Sequence, residues 1–395
     1  MPLFSKKQSI FVLRGLIEAL PLVLVLFSPV LGAKVGQPLI LSLIVYAGLN
    51  RHNLKMPDRN GWLFLLLITQ YLVFHMFLAI AGGENTEARQ YVSTAGLWAQ
   101  PLLGLPLMFV YATTYAGIRQ TFRFIAPPAT ALNMLVIGVA YFLGDVCRVR
   151  ISGEIFLPAL LMANTVFLWI ALFGKETPRD RFIGAGMLVL CLVTSTAFLG
   201  VRGIFLSELA VIFLMLGYLL LHDRNLAISL GFTVVVGIGL AFAIDQLAGC
   251  NFFLRSTNIV VAPDEMMTSD RSAGLRLVMW ENAWDLIQTN PIFGHGIISE
   301  VAAAEGQHIH VHNMYLSWLI WGGVFSLASG ILCLLAIAAA FAFGKMSNRL
   351  FFGAVAVCVP WGLSMVFDSF FVWPTFLTSF VVISSIGYGL LTSRE

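Results

Sequence analysis

The amino-acid sequence predicts an all-α fold, a polytopic transmembrane helical bundle of about 12 spans with one large exterior loop. Hydrophobic residues make up 59% of the 395 residues and charged residues only 11%, whereas soluble domains carry about 25% charged residues. The chain also divides at its polar breaks into stretches of roughly 20 apolar residues, the length that a membrane-spanning helix requires. A water-soluble enzyme is therefore excluded.

The apolar stretches give the position of each predicted span. They are 10–28, 35–49, 61–81, 92–115, 127–143, 155–173, 182–199, 203–221, 226–248, 313–343, 349–367 and 371–391. The stretch at 313–343 is long and contains Gly322-Gly323, which predicts a broken helix because two adjacent glycines weaken a helix interior. We expect residues 1–395 to form a single integral membrane domain.

The distribution of basic residues predicts the orientation. Short cytoplasmic connections collect Lys and Arg, and most of the 23 Lys and Arg residues fall on the inside if the N-terminus is cytoplasmic. Both termini then face the cytoplasm. The single long connection, residues 249–312, lies outside.

The long loop has its own predicted structure. Residues from Arg271 to Gln288 carry apolar side chains at helical spacing, which predicts an amphipathic helix on the membrane surface. Asn290-Pro291 should end this helix, and Gly294-His295-Gly296 should form a turn. A second short helix is predicted from Ser299 to Glu305.

Several functional classes lack support in the sequence. The net charge of +3 is too small to indicate nucleic acid, and the chain contains no Walker or GxGxxG phosphate loop, so ATP-driven transport is not indicated. The five cysteines include no CxxC pair, which argues against a zinc ribbon or a disulfide framework. A disulfide between Cys147 and Cys250, both at outside ends of spans, remains open.

Two exterior arginines are candidate ligands for an anion. Arg202 lies in a very short outside turn, and Arg276 lies in the first turns of the loop helix, one turn before Trp280. A guanidinium holds phosphate oxygens through two parallel hydrogen bonds, and a helix N-terminus adds backbone donors. The alternatives are that Arg202 anchors the chain at the membrane interface and that Arg276 lies on a solvated helix face with Glu281 and Asp285.

A histidine cluster precedes the span at 313–343. His308, His310 and His312 alternate, Asn313 follows, and His295 lies earlier in the same loop. Neutral imidazole is the usual general base near pH 7 and a common zinc ligand. A catalytic base, a metal site with Glu300, Glu305, Asp264 or Glu265 nearby, and an interfacial polar cluster without chemistry are all consistent with the pattern.

Two charged residues lie inside the first span. Arg14 and Glu18 are four residues apart, so they share one helix face and can pair. A structural ion pair is favoured over a proton relay, because intramembrane charges are costly unless they are paired.

The exterior features occur in an order that resembles the O-antigen ligase superfamily. They are Val201-Arg202-Gly203, then Arg276 to Trp280, the turn from Pro291 to Gly296, and His312-Asn313 at the start of a span. The family's first arginine commonly follows serine, whereas Val201 stands here. The resemblance covers the topology of the whole chain, and the motifs span about 115 residues.

The resemblance implies a polytopic glycosyltransferase of the GT-C type. Such enzymes move a glycan from undecaprenyl diphosphate to the lipid A-core oligosaccharide at the periplasmic face, without a nucleotide sugar, metal or other cofactor. It implies that Arg202 and Arg276 bind the donor diphosphate and that His312 is the general base. Trp280, Asn313, His310, His308 and His295 are supporting candidates.

Other functions remain to be distinguished. Protein O-oligosaccharyltransferases of the same superfamily use the same donor but usually continue beyond their spans, whereas this chain is expected to end about four residues after its last span, at Glu395. A repeat-unit polymerase is a further alternative. A secondary transporter or lipid flippase is the rival from another class, although transporter sites usually lie at midplane between inverted repeats.

Overall fold

The structure is a computed structural model of the chain. It describes residues 6–27, 36–54, 56–81, 88–115, 117–143, 186, 193, 202–250, 253, 271–297, 301–304, 307–309, 311–342, 362–363 and 365–366. The predicted spans at 155–173, 182–199, 349–367 and 371–391 lie wholly or mainly outside these residues. The count of about 12 spans therefore stays a prediction.

The described chain is helical apart from one short hairpin. Its elements are α1 (Lys6–Leu26), α2 (Gly36–Leu49), α3 (Arg59–Ala81), α4 (Ala88–Thr114), α5 (Ile118–Leu143), α6 (Arg202–His222), α7 (Arg224–Ala248), α8 (Arg271–Thr289), β1 (Val301–Ala304), β2 (Gln307–Ile309) and α9 (Met314–Ala342). Helices lie at every predicted span from residue 10 to 143, from 203 to 248, and at 313–343.

Within the part of the chain that the structure describes, three stretches are long and apolar enough to cross a membrane, namely Gly61–Ile80, Arg224–Ala248 and Met314–Leu335. Large apolar side chains on these helices are exposed, including Phe232 on α7 and Phe77 on α3. Exposed apolar surface is favourable against lipid and unfavourable in water. The chain is a helical membrane protein.

The core that positions the candidate site lies between α3, α4, α8 and α9. Its largest buried side chains include Trp318 and Trp321 of α9, Phe64 and Tyr71 of α3, and Phe109 of α4. A second cluster joins α1, α2, α4 and α5, and α6 packs on α7 in a third. Helix α9 is therefore held by the core along the half that adjoins the loop.

Buried polar side chains join α3 to α9 within this core. Gln70 donates to the Ser329 carbonyl at 3.3 Å and accepts from the Ser329 hydroxyl at 3.1 Å. His75 Nδ1 lies 2.9 Å from the Tyr71 carbonyl, which can only accept, so this nitrogen carries the proton and Nε2 accepts from the Ser326 hydroxyl at 2.7 Å. These four side chains therefore pair their polar groups inside the bundle, as an apolar environment requires.

The predicted helix from Ser299 to Glu305 is wrong. Residues Val301–Ala304 form β1, which pairs antiparallel with β2, with Val301 opposite Ile309 and Ala302 opposite His308. The register shifts between Ala302 and Ala304. Alanine favours helices by intrinsic propensity, but strand pairing and contact between β1 and α8 override this local preference.

The predicted ion pair in the first span is confirmed. Arg14 Nε donates to Glu18 Oε1 at 3.0 Å. A second guanidinium nitrogen donates to the Asn50 side-chain oxygen at 3.0 Å. The arginine therefore ties α1 to the end of α2, which fits a structural role.

Candidate functional site

The predicted amphipathic helix of the loop is confirmed as α8. Met279, Ala283 and Ile287, spaced four apart, are buried and so form one stripe along the helix. Ala283 and Ile287 belong to the core cluster that contains Trp318 and Trp321. The stripe fixes α8 on the protein, and the opposite face of the helix remains exposed.

The turn from Pro291 to Gly296 docks on α9 where this helix is broken. Gly322 and Gly323 have non-helical backbone angles (φ −141°, ψ 24° and φ 59°, ψ −148°), so the predicted break is confirmed. Three backbone hydrogen bonds join the turn to the break: His295 N to Ile320 O at 2.6 Å, Gly296 N to Trp321 O at 2.9 Å, and Val324 N to Pro291 O at 3.0 Å. The turn thereby pairs backbone groups that a helix break leaves without partners.

Glycine is required on both sides of this contact. A Cβ at Gly294 (φ 67°) would lie 2.6 Å from the Ile320 carbonyl oxygen, and a Cβ at Gly323 would lie 2.5 Å from the Pro291 carbonyl oxygen. Both residues also have positive φ, which side chains disfavour. The Pro-x-x-Gly-x-Gly sequence and the Gly-Gly pair are therefore two halves of one backbone joint.

His295 belongs to this joint. Its Nε2 lies 2.9 Å from the Leu286 carbonyl and 3.0 Å from the Thr289 hydroxyl. Because a carbonyl only accepts, Nε2–H donates to Leu286 and satisfies a carbonyl in the last turn of α8. The structure thus places His295 at the C-terminal end of α8. The point where His295 contacts α9 lies about 10 Å along α9 from the first turn of that helix.

His312 lies two residues before Met314, the first residue of α9, and so at the N-terminal end of that helix. Its φ is 49°, and among the non-glycine residues that the structure describes it alone has a positive φ. A left-handed backbone at a non-glycine residue costs about 1–2 kcal/mol, and such strain concentrates at functional sites. The strained backbone supports a functional role for the imidazole.

Asn313 fixes the start of α9. Its side-chain oxygen accepts from the Leu316 backbone N–H at 3.1 Å, and its carbonyl accepts from the Ser317 hydroxyl at 2.9 Å. Asparagine is among the preferred residues for capping a helix N-terminus. The His-Asn pair therefore combines a strained residue with the cap that holds it in place.

Trp280 connects α8 to this corner. Its indole N–H donates to the Val311 carbonyl at 2.9 Å, and Val311 is buried in the core. Trp280 thus has a structural contact with Val311, the residue that precedes His312.

An open cleft of about 490 Å³ lies at the same corner. It is lined by Leu277, Trp280, Glu281, Trp284, Asp285, Asn313, Tyr315 and Leu316. Tyr315 is held by its hydroxyl, which donates to the Gly362 carbonyl at 3.0 Å. The cleft therefore joins the exposed face of α8 to the first turn of α9.

The remaining site candidates are described in part. Arg276 is half-buried near the N-terminus of α8, one turn before Trp280, and Arg202 is the first residue of α6. His308 lies in β2, and His310 lies outside the described residues, as do Glu300, Glu305, Asp264 and Glu265 of the metal alternative. The structure brings Trp280, His312 and Asn313 together and separates them from His295.

The family comparison bears on this same region. The model of the family described as O-antigen ligase matches residues 185–329. The matched stretch comprises 145 of the 395 residues. The resemblance based on the motifs is thereby confirmed for this stretch, and none of the curated proteins matches the chain.

The matched stretch contains every element of the corner described above. Its bounds include the start of α6, the whole of α8, the hairpin, His312 and the Gly322-Gly323 break. The match to this family supports an enzymatic role at the membrane.

Sequence reasoning does not find every residue of this corner. Trp284 counts by residue type among the apolar side chains of α8, but it is 52% exposed and lines the cleft. The signal that could have found this is the spacing of Trp280 and Trp284, which puts both rings on one helix face. The docking of the turn on Gly322-Gly323 depends on contacts between distant segments and had no local signal.

Proposed function

We propose that the chain is an O-antigen ligase that transfers a glycan from undecaprenyl diphosphate to the lipid A-core oligosaccharide. The observation that carries this proposal is that one family domain, residues 185–329, contains Arg202, Arg276 and His312. The strained backbone of His312, directly before Asn313, which lines an open cleft, supports its assignment as the catalytic residue.

In the proposed reaction, His312 accepts the proton of the attacking acceptor hydroxyl. The hydroxyl oxygen forms a bond to the anomeric carbon of the donor glycan as the bond from that carbon to the phosphate oxygen breaks. Undecaprenyl diphosphate leaves with the electron pair, and the configuration at the anomeric carbon is inverted. No metal is required, because cationic side chains meet the charge of the leaving group.

Arg202 and Arg276 are the proposed ligands of the diphosphate. Their guanidinium groups would stabilise the charge that develops on the leaving oxygen, which is the most effective place for fixed cations. Both residues lie at or near helix N-termini, where backbone N–H groups and the helix dipole also favour an anion.

The proposed site lies on the periplasmic side of the inner membrane, with both termini in the cytoplasm. The distribution of Lys and Arg along the sequence supports this orientation, because short cytoplasmic connections collect basic residues.

The identity of the acceptor distinguishes an O-antigen ligase from a protein O-oligosaccharyltransferase and from a repeat-unit polymerase. Purified protein is incubated with undecaprenyl-diphosphate-linked glycan and either rough lipopolysaccharide or a pilin, and the products are separated on a gel. We expect the lipopolysaccharide to shift to higher mass. Glycosylated pilin would instead identify a protein O-oligosaccharyltransferase, and longer chains on the undecaprenyl carrier would identify a polymerase.

A further inference from the structure

The cleft beside His312 combines aromatic rings with carboxylates. Trp280, Trp284 and Tyr315 provide rings, and Glu281 and Asp285 provide negative charge. Two of the rings are fixed by hydrogen bonds, from Trp280 to the Val311 carbonyl and from Tyr315 to the Gly362 carbonyl. These rings therefore keep their orientation when the cleft is empty.

The charges of α8 are divided along its length. Arg271 and Arg276 lie in its first half, whereas Glu281 and Asp285 follow in the second half. The described residues that line the cleft include no Lys or Arg. Because two carboxylates repel an anion, the cleft does not suit a diphosphate, which the first half of α8 accommodates better.

The chemistry of a sugar ring complements the aromatic and acidic side chains in the second half of α8. The C–H groups of a sugar form an apolar face that stacks on aromatic rings, and its hydroxyl groups donate hydrogen bonds to carboxylates. Carboxylates only accept hydrogen bonds when ionised, so they favour ligands that are rich in donors. An ammonium group on an amino sugar would add attraction to Glu281 and Asp285, whereas a uronic acid or sugar phosphate would be repelled.

The position of the cleft indicates which sugar it holds. Asn313 lines the cleft and directly follows His312, the proposed base. A general base must lie within hydrogen-bond distance of the hydroxyl that it deprotonates, and that hydroxyl belongs to the acceptor.

We propose that the cleft is the acceptor subsite and that it selects a neutral or amino-bearing terminal sugar over an anionic one. This inference rests on the proposed function, since it assumes that an acceptor hydroxyl reacts beside His312. It adds the chemical class of the acceptor end and assigns binding roles to Trp284, Glu281 and Asp285.

The test measures binding and transfer separately on the full-length protein in detergent. The probes are two delipidated core oligosaccharides that differ only at the terminal residue, glucose or glucuronic acid. Binding is followed by tryptophan fluorescence in the wild type and, because Trp284→Ala removes a fluorophore, by isothermal titration calorimetry in wild type and variants. Transfer is measured with the matching lipid-linked acceptors at saturating donor. We expect the wild type to bind the glucose-ended probe more tightly and to have a lower KM for the glucose-ended acceptor.

Two variants examine the cleft. Trp284→Ala should raise the KM for the glucose-ended acceptor about tenfold, equivalent to ~1.4 kcal/mol, and leave the KM for the donor unchanged. Glu281→Gln combined with Asp285→Asn should reduce the discrimination between the two acceptors. Trp62→Ala is the matched control, because Trp62 is 54% exposed on α3 and does not line the cleft.

The outcomes separate this inference from the proposed function. If the wild type transfers glycan but the cleft variants keep its KM values and its acceptor preference, the subsite is wrong and the ligase function stands. If no acceptor is glycosylated but Trp284→Ala loses oligosaccharide binding, the ligase function is wrong and the sugar cleft stands. Fluorescence that responds to Mg²⁺ or to anionic lipid vesicles and not to either oligosaccharide would overturn the subsite.

Discussion

The contact between the Pro291–Gly296 turn and the break in α9 predicts a large loss of stability for Gly323→Ala. Alanine at φ 59°, ψ −148° occupies a region used almost only by glycine, at a cost of about 1–3 kcal/mol. Its Cβ would also collide with the Ile292 and Pro291 carbonyls, so the turn must move away from α9. Moving the turn breaks three backbone hydrogen bonds, each of which contributes about 1 kcal/mol.

The sum is a destabilisation of about 4–6 kcal/mol, and the measurement is thermal unfolding of purified protein in detergent. At roughly 2–4 °C per kcal/mol for a large domain, we expect the Tm of Gly323→Ala to fall by about 10 °C or more. The rate of glycan transfer should also fall, because the position of α8 relative to His312 is no longer fixed.

The matched control is Gly239→Ala in α7. Nothing lies within 4 Å of a Cβ built at this helical glycine, so alanine should stabilise the helix by about 0.5–1 kcal/mol. A Gly323→Ala protein that melts and transfers like the wild type would refute the assignment of this joint.

Three further outcomes are expected. His312→Gly should be more stable than His312→Ala by about 1 kcal/mol in thermal unfolding, since φ is 49° and glycine, unlike alanine, adopts this backbone without strain; the opposite order, usual for ordinary positions, would remove the argument from strain. Arg202→Lys and Arg276→Lys should each impair transfer while the protein inserts and purifies normally, because lysine keeps the charge but loses the paired hydrogen bonds; near wild-type rates in both would make these arginines anchors. Transfer should survive EDTA, and loss with EDTA followed by rescue with zinc would instead assign the histidine cluster to a metal.

Features that depend on neighbouring residues were predictable from the sequence. The apolar spacing from Arg271, the stop at Asn290-Pro291 and the two glycines of the turn all appear in the structure where they were expected. Hydrophobic periodicity and turn chemistry are local properties, so a single sequence carries them. The break at Gly322-Gly323 was found for the same reason.

Features that depend on contacts between residues far apart in the sequence were not predictable from it. The hairpin at 301–309 replaces a predicted helix because pairing between β1 and β2, together with contact with α8, outweighs the helix propensity of Ala302 and its neighbours. His295 is a supporting candidate in the sequence, but its contacts with Leu286, Thr289 and Ile320 come only from tertiary structure. The polar pairs between α3 and α9 were missed as well, although His75 inside an apolar span was a signal for them.

The candidate site was predictable in its parts but not in its arrangement. Arg276, Trp280 and His312 were chosen from residue type and order along the chain. That Trp280 donates to the Val311 carbonyl, next to His312, follows only from the packing of α8 against the core. The strained backbone of His312 and the cleft beside it likewise come from tertiary structure.

The central claim is that His312 is the general base of a glycan transfer, and the most direct measurement is the transfer rate of His312→Asn. Asparagine tolerates a left-handed backbone, so this variant removes the imidazole and retains the local fold. With undecaprenyl-diphosphate-linked glycan and rough lipopolysaccharide, we expect the rate to fall about 10²–10⁴-fold while donor binding and Tm are retained and His308→Ala stays active. Wild-type transfer by His312→Asn, or loss of transfer in His308→Ala alone, would contradict the account.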